Sequence, residues 1–585
     1  MPDSRPTGHP RFSGVSWVGS LQPVVALAVA VMTLLLASGC GDAGSAGNSS
    51  TTKTPTRSRP VEEFAFINRG DIITLDLNQM SYLQDFRISY ATREGLYTYD
   101  PATLDPIPSL AASHTLSDDK RVWTFTLQAD GRWSNGDPVT AHDFVFSWRN
   151  LLESPGEYTS LLYYIRGAEA YEDSYREGKG MSFDEVGVKA VDDRTLVVTL
   201  TDPVPFFPDL MAFPTFYPRH AQSMERFKQT DAKGRVSYDP AYTRPPDVVL
   251  NGPFILKEWT PGKQLVLERN PQYRAKDQVK SERIVMIVNN DPQSAFVQYE
   301  AGEVDWMADV APEIGFNLKQ QGRQDLKVVD AYGTAFLTFN CAPTAPELGD
   351  NVKNPLADQR VRQALAMTVD KNQIVNNITR MGEKPADWYV PAHFFKGWKS
   401  KPAPSFDVEG ARKLLAEAGY PEGKGFPALS ICYNSESPVR KDMAEFLRNQ
   451  WRRHLGINVE LRAMELKGYR NYVTNKQYTV ALVAWYGDYK DPSTWTDKYH
   501  SRSLNNDSNW GPPEYDALLA RAAKETDEAK RFEMLMEAES MINTQLPIVP
   551  LYYYVNFTLQ RDWVRGLIPN AKNITIWNGV HVVKE

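Results

Sequence analysis

The run Val480-Ala481-Leu482-Val483-Ala484-Trp485-Tyr486 is continuously apolar and rich in β-forming residues, is broken by Gly487, and is followed by Asp488-Tyr489-Lys490-Asp491-Pro492. It reads as a buried strand that delivers one carboxylate at its end. A buried ammonium without a partner is prohibitively costly, so a closed site for a cationic group needs such a fixed anion, and Asp488 is the first candidate for it. Beside Gly487 the same aspartate also suits an ordinary turn. Other chemistries lack support. Beyond Gly44 the sequence contains no GxxxxGK[ST], GxGxxG, HExxH or GxSxG, and none of the chain's eight histidines pairs with another at helical ligand spacing. A nonlocal triad stays open, because triad members need not be neighbours in the chain. The Gly-rich stretch 419–425 follows the helical pattern Ala411–Ala418, so it ends a helix, whereas a phosphate cradle would open one.

The surrounding elements alternate between strands and helices, which predicts an α/β fold. Strand-like runs occur at Phe64–Asn68 and Ile72-Ile73, and Val186–Val191 and Thr195–Leu200 form a hairpin about the turn Asp192-Asp193-Arg194. Phe254–Leu256 and Gln264–Glu268 are strands separated by Pro261-Gly262. Helical periodicity covers His142–Leu152, where Thr140-x-x-Asp143 offers a capping start, and then 358–369, 407–418, 438–453 and 513–543. Residues 225–247 are polar and Pro-rich and read as a long surface connection.

At the N-terminus, Arg5 and Arg11 precede an apolar run from Val24 to Ala37 that ends in Leu36-Ala37-Ser38-Gly39-Cys40. A run of about 14 apolar residues is shorter than the roughly 20 that span a bilayer, so a cleaved secretory signal is the better reading. Small residues directly before a cysteine resemble the bacterial lipobox, which implies a signal peptide over 1–39 and a lipidated Cys40; the departure is Ala37 where lipoboxes usually carry Leu. The alternative is a chance cysteine behind a simple secretion signal. Residues 40–60 hold almost nothing apolar and read as a flexible tether, with a reach of about 25 Å. Several acyl chains would then give stable anchoring. The whole chain carries a formal charge of -7, and removal of 1–39 takes away Arg5, Arg11 and Asp3, leaving no basic field for nucleic acid. Beyond Cys40 only Cys341 and Cys432 remain, expected as reduced or buried thiols. A body of roughly 525 residues exceeds what one core supports and implies two or more domains.

Four segments together resemble the oligopeptide-binding proteins of bacterial extracytoplasmic solute-binding family 5: Trp133-Ser134-Asn135-Gly136-Asp137-Pro138-Val139-Thr140-Ala141-His142-Asp143-Phe144, Leu267-Glu268-Arg269-Asn270-Pro271-Gln272-Tyr273, Ala416-Glu417-Ala418-Gly419-Tyr420, and Ile548-Val549-Pro550-Leu551-Tyr552-Tyr553-Tyr554. The likeness runs in register from about residue 62 to near the C-terminus. It implies a two-lobed α/β periplasmic-binding-protein fold of the class II type with an extra third domain, closing about a hinge over its ligand. By position, one discontinuous lobe takes 61–93, 219–331 and 556–585, the extra domain 94–218, and the second lobe 332–555. The implied role is the substrate-binding lipoprotein of an ABC-type importer, outside the cytoplasmic membrane in the periplasm or at the cell surface. Such a protein is not an enzyme, has no cofactor or metal, and works as a monomer with permease and ATPase subunits.

The resemblance further implies that Asp488 receives the α-ammonium of a bound peptide. Trp485, Tyr486 and the stretch Ser81 to Leu83 would pair with the peptide backbone, a mode that is blind to side chains. Tyr158 matches a further ligand-contacting tyrosine and would otherwise be ordinary aromatic packing. Arg440 and Arg380 fall at or beside positions where relatives carry bases for the peptide carboxylate; read alone, either is also a solvated helix-face residue. Two other such positions are Leu482 and Val473, and a family tryptophan is Leu466. These departures leave open a non-peptide solute, such as a glycan or metal chelate, in the same fold. A secreted hydrolase with a nonlocal site is a further alternative.

Overall fold

The computed structural model describes residues 56–68, 70–349 and 352–584. The expected signal peptide, Cys40 and most of the tether lie outside the described residues.

An 11-stranded mixed sheet organises the chain. Its order is Phe254–Thr260, Gln264–Arg269, Arg283–Val288, Glu63–Asn68, Trp306–Met307, Ile548–Gln560, Leu326–Phe339, Val480–Tyr486, Leu429–Asn434 and Val459–Met464, with Lys384–Pro385 added on Ile548–Gln560. The two longest strands lie at its centre and pair antiparallel in two stretches: Leu326–Asp330 against Leu559–Val555, and Thr334–Thr338 against Tyr553–Ile548, with a register break between Asp330 and Thr334. On one side of the break the neighbour is the short strand Trp306–Met307. On the other it is Val480–Tyr486, which pairs along Gly333–Phe339. The apolar side chains gather into separate clusters. One unites Phe64, Phe66 and Trp577 with Trp123, Trp148 and Phe207, another Leu337, Phe339, Leu447 and Trp451.

Residues 111–199 build a second, four-stranded antiparallel sheet in the order Ala111–Leu116, Val122–Leu127, Thr195–Thr199, Val188–Asp192. It contains the expected hairpin. The helix beside it, Ala141–Glu153, begins with the expected box: the Thr140 side chain caps the third residue and the Asp143 carboxylate accepts the Thr140 N–H at 2.8 Å.

Several elements differ from expectation. Ile72 and Ile73 form no strand; the Ile73 N–H donates to Asp85 Oδ1 at 2.8 Å, and its side chain is exposed. The segment 513–543 is two helices, Pro513–Lys524 and Glu528–Gln545, because the Asp527 side chain caps the Lys530 N–H and restarts the helix. The helix expected over 358–369 spans only Gln359–Ala366. Residues 225–247 lie mostly at the surface but contain a small hairpin, Lys228–Thr230 with Val236–Tyr238. Gly419 does stand just past the helix Val408–Glu417 with φ +97°, where a side chain would be strained. Cys341 and Cys432 are both free thiols.

Candidate functional site: a carboxylate in an aromatic cleft

Val480–Leu482 are buried, but the strand emerges as it ends, and the Tyr486 side chain is 51 % exposed. Two glycines permit this exit. A Cβ on Gly333 would run into the Tyr486 ring, and one on Gly487 into the rings of Tyr332 and Trp495. The Gly487 N–H extends the ladder to the Tyr332 carbonyl at 2.9 Å, and the Asp488 N–H donates to Thr494 Oγ1 at 3.2 Å.

Asp488 then opens onto a cavity of about 440 Å³ whose walls include Ser81, Leu83, Phe86, Tyr158, Phe213 and Tyr486. The aromatic wall is tightly set, with the Tyr158 ring edge-on to Phe213 at 5.0 Å and to Phe86 at 5.8 Å. Among the described residues no hydrogen bond or ion pair reaches the Asp488 carboxylate. Burial pushes its pKa up to about 6; the nearby Lys572 ammonium opposes that rise and the Glu157 carboxylate adds to it. Lys572 is engaged elsewhere. Its Nζ donates to Asp209 Oδ1 at 3.1 Å and to the backbone carbonyl of Asp488 at 3.2 Å, and it lies 4.8 Å from the Tyr99 ring centre. Asn556 fixes the segment that carries Lys572, donating to the carbonyls of Asn570 and Ala571, each at 3.0 Å.

The residues after Asp488 are clamped. Tyr489 stacks flat on Phe206, centroids 4.0 Å apart, and Tyr332 Oη donates to the Tyr489 carbonyl at 3.1 Å. The Lys490 N–H donates to Asp209 Oδ2 at 3.1 Å, and Lys490 Nζ pairs with Asp105 at 2.6 Å. Asp491 accepts both Nη1 and Nη2 of Arg531, at 2.7 and 2.8 Å, from the helix Glu528–Gln545. In this conformation the carboxylate is free while the backbone that follows it is held by Tyr332, Phe206, Asp209 and Arg531.

The structure brings Asp488, Tyr486, Ser81, Leu83 and Tyr158 onto one cavity. Trp485 alternates to the other side of the strand, where its indole N–H donates to the Thr494 carbonyl at 2.8 Å. Arg440, in the first turn of Pro438–Leu455, donates to the Leu482 carbonyl at 3.1 Å and lies near Tyr469 outside that cavity. No carboxylate pairs with it among the described residues. Arg380 has φ +62°, lays its guanidinium 4.0 Å from the Phe316 ring centre, and does not line the cavity. Leu482 and Val473 are buried. Sequence reasoning missed Lys572, Asp209, Phe86 and Phe213, which no local pattern singles out.

Residues 105–507 match the profile of the bacterial extracellular solute-binding proteins, family 5. The chain belongs to this family. Over 82% of its length it is 33% identical to the oligopeptide-binding protein OppA of Bacillus subtilis, covering 85% of that protein. Among solved structures it resembles a periplasmic oligopeptide-binding protein of Borrelia burgdorferi, with 30% identity, a TM-score of 0.74, and coverage of 89% of this chain and 100% of that one. It also resembles Haemophilus influenzae OppA in complex with the peptide RPPGFSPFR, with 27% identity, a TM-score of 0.72, and coverage of 89% and 99%. The architecture of this family 5 protein is accordingly the two-lobed α/β binding-protein fold expected from its sequence.

Proposed function

We propose that this chain is the substrate-binding lipoprotein of an ABC-type importer, not an enzyme, and that it captures short peptides by their free ammonium at Asp488. The observation that carries the reading is the Asp488 carboxylate, positioned by its backbone, unpaired, and facing an apolar aromatic cleft. Relatives named for oligopeptide binding supply the cargo class. The peptide backbone lies extended between Tyr486 and Ser81–Leu83, in the β-augmentation mode. Arg440, which has no acidic partner among the described residues, and Arg380 are the candidates for the far carboxylate. The lobes are 61–93, 219–331 and 556–585 on one side and 332–555 on the other, with 94–218 as the extra domain. The two long strands cross that division where their register breaks, which suits a hinge. The protein is held outside the membrane by lipid on Cys40, behind the signal peptide 1–39 and on the tether 40–60, and delivers its cargo as a monomer.

Native mass spectrometry of freshly purified protein tests the cargo class: adducts of peptide mass support the reading, and adducts of another solute class contradict it. The second outcome has one point in its favour, since Leu482 and Val473 are buried aliphatic residues at positions where the family resemblance implies bases for a peptide carboxylate.

The same geometry predicts a pH profile. Binding needs Asp488 ionised, and its carboxyl titrates near 6 in the empty cleft, while a peptide amine loses its proton near about 8. Affinity is expected to be greatest between those values and about tenfold weaker at pH 5 than at pH 7, measured by calorimetry. An affinity unchanged from pH 7 to pH 5 contradicts the assignment.

In this reading the Phe206–Tyr489 stack joins the extra domain to the second lobe, so it forms on closure. Loss of an aromatic pair of about 1 kcal/mol or more is expected to raise the peptide dissociation rate of Phe206→Ala several-fold with little change in association. Stopped-flow fluorescence separates the two rates, and a change confined to association contradicts the latch.

A further inference from the structure

A second carboxylate opens onto the same cleft. Asp309 follows the short strand Trp306–Met307 and lines both the Asp488 cavity and an adjoining one of about 340 Å³; the two also share Leu83, Asn556 and Asn573. One of its oxygens is held from behind, where Arg87 Nη1 donates to Asp309 Oδ2 at 2.8 Å. That arginine is 1% exposed and is itself fixed, with Nη1 also donating to Asn68 Oδ1 at 2.7 Å and its guanidinium 5.6 Å from the Trp306 ring centre. Arg87 Nε and Nη2 are occluded from solvent and have no partner, so they cannot reach a ligand. Asp309 is 35% exposed, and among the described residues its Oδ1 accepts no hydrogen bond.

The adjoining cavity is lined by Leu83, Val310, Pro312, Val555 and Phe557 together with the amides of Gln84, Asn556 and Asn573, and among the described residues Asp309 and Arg87 are its only ionisable lining residues. A cavity of aliphatic and amide walls with one clamped carboxylate in its lining fits a long basic side chain, whose methylenes lie along the aliphatic walls while its charged head meets the carboxylate oxygen and the amides. Short or acidic side chains satisfy neither half of that arrangement. We propose that Asp309 is a second acidic contact of the cleft and selects peptides with a lysine or arginine downstream of the residue held at Asp488. The proposal rests on the peptide-binding reading, and extends it from the backbone to a side chain.

Calorimetry of the mature protein with Ala-Ala-Ala, with the three tripeptides carrying one lysine, and with their norleucine counterparts tests it. With lysine second or third, in one of these two registers, the lysine peptide is expected to bind at least about tenfold tighter than its norleucine counterpart, and Asp309→Asn is expected to abolish that ratio. If the buried guanidinium left by Asp309→Asn prevents folding, the double variant Arg87→Met with Asp309→Asn removes that charge and makes the same comparison. Equal binding of lysine and norleucine peptides in both downstream registers, or a ratio that survives loss of Asp309, overturns the proposal. Absence of any tripeptide binding, Ala-Ala-Ala included, instead overturns the peptide reading beneath it.

Discussion

Asp488→Asn is expected to weaken the binding of a short unblocked peptide by at least about a hundredfold. The substitution keeps the size and shape of the side chain and removes only its charge, so a peptide ammonium drawn into the cleft would face a neutral amide. Leaving one member of a desolvated charge pair without its partner costs about 2–5 kcal/mol, which brackets that loss. The folded protein should not suffer. Among the described residues no hydrogen bond or ion pair uses the Asp488 carboxylate, and burial, only partly offset by Lys572, already disfavours its ionised form, raising its pKa to about 6. A folded-state pKa above the unfolded value of 3.8 means the carboxyl costs stability that grows as pH rises from there and is complete above about 6, so the empty variant should melt at or above the wild-type temperature at pH 7. Loss of binding with stability intact is the signature of a group kept for a ligand, and calorimetry with differential scanning fluorimetry reads both quantities.

Arg531→Met is expected to produce the largest loss of stability, about 3–5 kcal/mol, read from the denaturant midpoint. Arg531 and Asp491 form a two-pronged ion pair whose side chains are 4% and 7% exposed, so truncating one leaves the other buried and unpaired. Asp497 compounds the effect: burial raises its pKa to about 7, with Arg531 lowering it and Asp491 raising it, and removal of the guanidinium leaves two close carboxylates. Protonation of those carboxylates should relieve part of the loss, so the gap between variant and wild type narrows as pH falls from 8 to 6. The double variant Arg531→Met with Asp491→Leu should recover most of the stability. Equal destabilisation by single and double variants would contradict the pair as its cause. Because Asp491 stands three residues after Asp488, this pair also anchors the loop that presents the Asp488 carboxylate to the cleft.

Much of this arrangement was legible in the residues. The strand Val480–Tyr486 ends where its apolar run ends, and Gly487 and Asp488 mark its exit into the cleft. Thr140 and Asp143 announced a helix start by local hydrogen bonding alone. What stayed hidden depends on tertiary neighbours. Trp485 and Tyr486 look equivalent in sequence, yet the strand pleat sends one indole to Thr494 and the other ring into the cavity. Between the two helices the stretch Lys524–Glu528 is polar but holds no glycine or proline, so only the Asp527 cap betrays the break. Lys572 and Asp209 meet across 363 residues, a pairing that no spacing rule reaches. Asp309 is a lone acid after a two-residue strand, and only the guanidinium behind it shows that it is aimed.

The most direct test of an ammonium site at Asp488 is a calorimetric comparison of one tripeptide, Ala-Ala-Ala, with its N-acetylated form at pH 7. Acetylation removes the positive charge and leaves the rest of the peptide available to the cleft. The free peptide is expected to bind, and the acetylated one to bind at least about a hundredfold more weakly or not at all. Equal affinity for the two would contradict the account.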